Sequence, residues 1–196
     1  IRAWKSVYES LPVRVVIILE GEEESGSESL VPFLNKHKEE LQADTCIVCD
    51  TSMWDVDTPA ITSRLRGMVY IEATLHGPTH DLHSGGYGGA VVNPANALTE
   101  ILGQLHDSDG KVQIEGFYDD VVIVSDEQIE QWNSLGDADS SVLESSGAKA
   151  TFGEKGFGTL ERLWSRPTCD INGLRAGYIG EGAKTVIGAT AMAKIS

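Results

Sequence analysis

Residues 13–19, VRVVIIL, form a nearly unbroken run of β-branched and aliphatic side chains, the pattern of a strand buried in a sheet. The period then changes. Leu30, Phe33, Leu34, His37 and Leu41 recur at helical spacing, with Ser27 or Ser29 placed to cap the helix N-terminus. A second short strand, TCIVCD, follows at 45–50. Strand, helix and strand with short joins predict a βαβ unit and hence a parallel sheet. After residue 62 the pattern is different. Val69, Ile71, Ala73 and Leu75 alternate with Tyr70, Glu72, Thr74 and His76, as expected of a half-buried strand. A glycine-rich loop leads into NPANALTEILGQL. There Asn93 is the expected cap, Pro94 opens the first turn, and Leu98, Ile101, Leu102 and Leu105 form an apolar stripe. Residues 107–150 are acidic and weakly patterned, with one expected helix carrying Ile129, Trp132 and Leu135. GLRAGYIG and TVIGATAMAKIS read as two further strands. The expected organisation is therefore α/β in two parts. Residues 1–62 belong to a parallel-sheet domain, and residues 63–196 form an α+β unit with an antiparallel sheet.

Composition narrows the class. A hydrophobic content of 41% supports a real core, and no apolar run is long enough for a membrane span. The formal charge of −15 argues against nucleic acid and anionic membranes as partners. Three cysteines, Cys46, Cys49 and Cys169, are too few and too uneven for a disulfide framework, so a reducing compartment, the cytoplasm, is expected. The C-x-x-C spacing of CIVC is compatible with metal or redox chemistry. With no second pair nearby, ordinary packing within a strand is the expectation. The chain opens on Ile1 and ends on AMAKIS, a strand-like stretch, which suggests a fragment of a longer protein.

Against this frame the loop LEGEEESGSESL, 19–30, raises a chemical question. Adjacent carboxylates at a strand end repel one another, and unless they are well solvated a cation between them relieves the repulsion. Neighbouring residues on a tight turn point in different directions. One of Glu22, Glu23 and Glu24 can thus ligate a metal while the next faces a water whose proton it can take. The alternative is a solvated acidic turn that favours the N-terminus of the following helix. Asp50 closes the second strand and could reach the same edge, or could form an Asx-turn into TSMWD. In HDLHSGGYGG, glycines let backbone approach a ligand closely and a histidine can donate to an oxyanion. A flexible hairpin with exposed histidines is the other possibility. Two histidines without a third ligand do not make a metal site.

Five blocks in order, EGEEESGSESL, CDTSMW, DLHSGGYGG, RPTCDINGL and GYIGEGAKTVI, resemble the zinc-dependent aminoacylase, carboxypeptidase and dipeptidase family, nearest its carnosinase-like or cytosolic nonspecific dipeptidase branch. The resemblance runs from about residue 13 to the end. It implies that Glu23 is a general base, that Glu24 and Asp50 are zinc ligands, and that His83, on a lid domain, reaches the partner subunit's active site to steady an oxyanion. It also implies that Arg166 binds a substrate carboxylate, a task suited to a planar guanidinium fork. Two zincs, a small peptide or N-acyl amino acid substrate, and a homodimer formed through the lid come with it. The family's histidine–aspartate block does not precede residue 13, and a later histidine ligand is also missing. The expectation is therefore that these 196 residues alone neither hold two zincs nor hydrolyse peptides. A non-catalytic dimerisation module, a same-fold amidase acting on N-acyl amino acids, and an acidic binding domain are the alternatives.

Overall fold

The computed structural model describes all residues from Ile1 to Ser196, and they fall into two compact units, Ile1–Thr62 and Ser63–Ser196. In the first, helix α1 spans Arg2–Val7, a 3-10 turn spans Glu23–Ser25, and helix α2 spans Leu30–Lys36. The expected helix of the βαβ unit is thus present, preceded by Ser29, but it ends before Leu41. The two strands expected beside it are not formed as strands. Residues 13–19 and 45–50 enter no ladder, and no residue of the unit is fully buried. Leu19 is 92% exposed, and Ile47 and Val48 are each 78% exposed. The physical reason is that a strand exists only through its neighbours' hydrogen bonds, and these two segments make none with each other. The link the unit does make is through Arg14, whose guanidinium donates to the backbone carbonyls of Glu40 and Gln42 at 2.8 and 3.3 Å. Cys46 and Cys49, expected inside a packed strand, are exposed.

The second unit is built on an antiparallel sheet in the order β1 (Ile71–His76), β5 (Thr190–Ile195) and β3 (Ile171–Ala176). Its central strand pairs Ala193 with Ala73 on one side and Leu174 on the other. Helix α4, Pro94–Leu102, packs on this sheet. Asn93 accepts the Ala95 N–H at 3.0 Å, so the cap and the proline at the first turn act as the pattern predicts. Leu98 and Leu102 pack with Ala191 and Ala193 to make the core, and Leu75, Leu105, Ala176 and Ile195 surround it. The small alanines of β5 let the helix approach closely. Ile101 departs from the expected stripe: it is 51% exposed on the outer helix face.

A second, two-stranded sheet pairs β2 (Leu82–His83) with β4 (Val186–Ile187). The single strand expected over TVIGATAMAKIS is therefore two, β4 and β5, which join different sheets across Gly188 and Ala189. Helix α3 (Ser84–Tyr87) follows β2. The acidic stretch holds α5 (Asp126–Asn133), close to the expected helix, and a second, α6 (Ala138–Ser146), which the pattern does not signal. Helix α7, Thr159–Trp164, packs against both, with Trp164 and Trp132 edge to face at 5.3 Å.

Candidate functional site

The acidic loop divides its labour among three glutamates. The Glu22 carboxylate accepts the Ser29 N–H and the Ser29 hydroxyl, each at 3.0 Å, immediately before α2. Gly26, at φ 96°, turns the chain out of the 3-10 segment in a conformation that costs other residues more. Glu22 is therefore committed to Ser29, the residue that precedes the helix. The side chains of Glu23 and Glu24 lie exposed in the 3-10 turn and take no hydrogen bond within the chain. Asp50 is exposed as well, and it does not form the Asx-turn. That turn belongs to Asp55, which accepts from the Asp57 and Thr58 amides at 2.8 and 2.7 Å and from the Thr58 hydroxyl at 2.9 Å. The Thr58 hydroxyl, then the Asp57 amide, hold the Asp55 carboxyl below its ordinary pKa.

No three His, Cys, Asp or Glu side chains converge closely enough to hold a metal ion. Glu24 and Asp50 supply two protein ligands, whereas zinc sites take three or four. The residues present thus do not by themselves fit a zinc centre.

In the second unit, His83 is held with unusual definition. Its Nδ1 accepts the Gly85 N–H at 2.8 Å, so the neutral ring carries its proton on Nε2. Nε2 lies 3.4 Å from the Thr185 hydroxyl. A Cβ on Gly85 would sit 2.7 Å from the imidazole Cε1, so only glycine permits this fold-back. The loop is fastened at both ends. Ser84 N–H donates to the Thr185 carbonyl at 2.9 Å, and the Asp81 carboxylate accepts the Ala189 N–H at 2.8 Å. Asp81, His83, Lys184 and Thr185 line one open groove of about 440 Å³. Sequence pattern singles out His83 but not Gly85, Lys184 or Thr185. The last two lie in the GAKTVI block, and their meeting with His83 follows only from the pairing of β2 with β4.

Arg166 has a different setting from the open fork expected for a substrate carboxylate. Its Nε and Nη2 donate to the two Glu154 oxygens at 2.7 and 2.9 Å. The guanidinium lies over the Phe157 ring at 4.2 Å and the Tyr118 ring at 5.0 Å. The pair is largely buried, at 16% and 12% side-chain exposure. The Nε–Nη2 edge of the guanidinium is thus committed to Glu154. Glu154, which pattern reading does not single out, decides this.

Three comparisons bear on this geometry. The family model described as the peptidase dimerisation domain matches residues 64–196. Across 196 aligned residues the chain is 32% identical to the Cys-Gly metallodipeptidase of Saccharomyces cerevisiae, covering 99% of this chain and 41% of that protein. It is 30% identical to the human Beta-Ala-His dipeptidase, covering all of this chain and 40% of that one. Among solved structures, human carnosine dipeptidase 1 superposes with a TM-score of 0.75 at 31% identity, over 98% of this chain and 41% of the other. An M20 family metallo-carboxypeptidase from Sulfolobus solfataricus gives 0.72 at 34% identity, over 90% and 40%. The chain thus spans about two fifths of the length of the relatives it matches.

Proposed function

This chain belongs to the peptidase dimerisation domain family, and on that premise we propose that it forms the lid, with part of the catalytic domain, of a metal-dependent dipeptidase. The observation that carries the proposal is His83. Within the family-matched segment, the Gly85 amide commits Nδ1 and leaves Nε2–H as a preorganised donor in a groove. A donor fixed before reaction is what stabilises an oxyanion as charge develops on a scissile carbonyl. Residues 63–196 act as the lid through which two copies pair, and residues 1–62 contribute catalytic groups. Glu23, uncommitted while Glu22 holds Ser29, takes the proton of the attacking water and returns it to the leaving amine.

Two of the similar proteins, the yeast dipeptidase and the Sulfolobus carboxypeptidase, are metallopeptidases by name. We assign zinc as the metal and Glu24 and Asp50 as the two ligands this chain supplies. The substrate class is the dipeptide, and three free thiols suit a cytoplasmic setting. Arg166 is assigned to the substrate carboxylate, through the guanidinium edge that its pair with Glu154 leaves open. The test is dipeptide hydrolysis by the full-length protein carrying this chain, with and without chelator. The expected result is cleavage that chelator abolishes and that Glu23→Ala lowers by about 10²–10⁴-fold, the range for loss of a general base. Chelator-insensitive cleavage, or full activity in Glu23→Ala, would overturn it.

A further inference from the structure

We propose that a second groove, between the turn at 107–110 and the loop at 151–155, binds the phosphate of a small phosphate ester. Arg162 and Lys155 supply the charge and Phe152 a ring face. The inference is independent of the peptidase reading. Arg162 and Arg166 are the half-buried arginines of the chain. Arg166 has the Glu154 carboxylate as its counter-charge, whereas Arg162 has no ion-pair partner. Acids are not lacking, at 30 Asp and Glu against 15 Lys and Arg. Those close by in the chain are engaged elsewhere. Glu154 is held by Arg166, and Glu161 accepts the Gly158 N–H at 2.7 Å. Asp107 accepts the Asp109 and Lys111 amides, each at 2.9 Å. A partly desolvated guanidinium without a counter-charge favours the arrival of an anion.

The groove's frame is set by hydrogen bonds and close backbone packing. Arg162 Nε donates to the Glu154 carbonyl at 3.0 Å, which fixes the side chain and leaves both Nη groups without an acceptor in the chain. Gly153, at φ 142°, lets the arginine stem lie against the backbone, since a Cβ there would sit 2.7 Å from the Arg162 Cδ. The Lys155 N–H donates to the Asp109 carbonyl at 2.8 Å and ties the two segments together. Arg162, Lys155, Phe152, Ser108, Thr151 and Asp109 line about 240 Å³. Asp109 already holds the Lys155 ammonium at 3.2 Å, so Arg162 carries the groove's unbalanced positive charge. The Nη groups, the ammonium and the Ser108 and Thr151 hydroxyls offer more donors than the oxygens of a carboxylate can use. They suit the tetrahedral oxygens of a phosphate monoester. Phe152 is 84% exposed beside them, so an ester carrying a flat ring would cover it.

The 196-residue chain is titrated in turn with phenyl phosphate, phenylacetate and inorganic phosphate, following the backbone amides of 108–110 and 151–155 and the Arg162 Nε–H by NMR. The expected result is saturable shifts at these positions, with phenyl phosphate binding most tightly. Arg162→Gln should weaken that binding about tenfold, the scale of a hydrogen bond to a charged group. Lys155→Met should weaken it about threefold, the scale of an exposed charge contact. Phe152→Ala should lower phenyl phosphate to the affinity of inorganic phosphate. Retained amide dispersion of β1, β3 and β5 shows that the variants fold, and the exposed Lys155 and Phe152 can be exchanged without loss of packing. No saturable binding of phenyl phosphate, equal affinity for phenylacetate, unchanged affinity in Arg162→Gln or in both other variants, or shifts centred on the His83 groove would each overturn the proposal. Hydrolysis plays no part in this titration, so it stands or falls separately from the peptidase activity.

Discussion

A single backbone amide decides what His83 can do. With Nδ1 accepting from Gly85, Nε2 must hold the proton of the neutral ring, and a side chain at residue 85 would displace the ring. Imidazole nitrogen shifts should therefore report the Nε2–H tautomer in this chain, and Gly85→Ala should give a mixture of tautomers. An unchanged pattern in Gly85→Ala would contradict the assignment. The Glu154–Arg166 pair makes a complementary prediction. Removing one partner of a buried, bidentate pair leaves the other charge desolvated, so Glu154→Ala should destabilise the chain by about 3 kcal/mol in urea unfolding. A Glu154→Ala variant as stable as the parent would mean that the fork is open to solvent. Cys169 is buried, and burial, with Asp170 adding to it, raises its thiol pKa. Alkylation at neutral pH should therefore modify the exposed Cys46 and Cys49 well before Cys169.

At the scale of elements, α4 carries the core and shows why its pattern was legible. Leu98 is 1% exposed and Ile101 51%, although both sit on the apolar stripe of the sequence. Leu98→Ala should cost about 3 kcal/mol, whereas Ile101→Ala should stay within about 0.5 kcal/mol, both read by urea unfolding. Asn93 and Pro94 announce the start of this helix because a cap and a proline act locally. Helix α6 shows the opposite case. Its large apolar residues are only Val142 and Leu143, so no stripe marks it. Asp137 does, accepting the Ser140 amide at 3.1 Å and its hydroxyl. The Ser140 hydroxyl, then its amide, hold the Asp137 carboxyl below its ordinary value near 3.8. A depressed folded pKa gives stability that is complete above that value and is lost as pH falls through the lowered one. The start of α6 should therefore stay ordered to pH 4 and loosen below it, as followed by the Ser140 amide shift. The strands fared unevenly for a related reason. β1 was readable from its alternation, while the division of 185–196 between two sheets depends on partners distant in sequence. Residues 13–19 and 45–50 have strand composition, but composition cannot supply a ladder neighbour. The candidate site follows the same rule. Glu23, Glu24, Asp50 and His83 stand out by local motif, whereas Lys184 and Glu154 become visible only through contacts made by the fold.

For the whole molecule, the two units place different demands on a reaction. The first offers Glu23, Glu24 and Asp50 without a converging third ligand, so zinc titrated into this chain should show no tight two-metal stoichiometry by calorimetry. A clear end point at two would contradict that. The second unit belongs to a dimerisation family, and we propose that its His83 serves the partner subunit's active site. On that proposal catalysis is a property of the pair, since each site would take Glu23 from one subunit and His83 from the other. That claim is tested most directly by mixing two inactive forms of the full-length protein, Glu23→Ala and His83→Ala, and allowing their subunits to exchange. Each mixed dimer would contain one doubly defective site and one intact site. Random exchange should therefore restore dipeptide hydrolysis to about a quarter of the parent activity, as two-fold symmetry requires. If the mixture stays as inactive as its components while the dimers demonstrably exchange, the lid does not act across the dimer and the central claim fails.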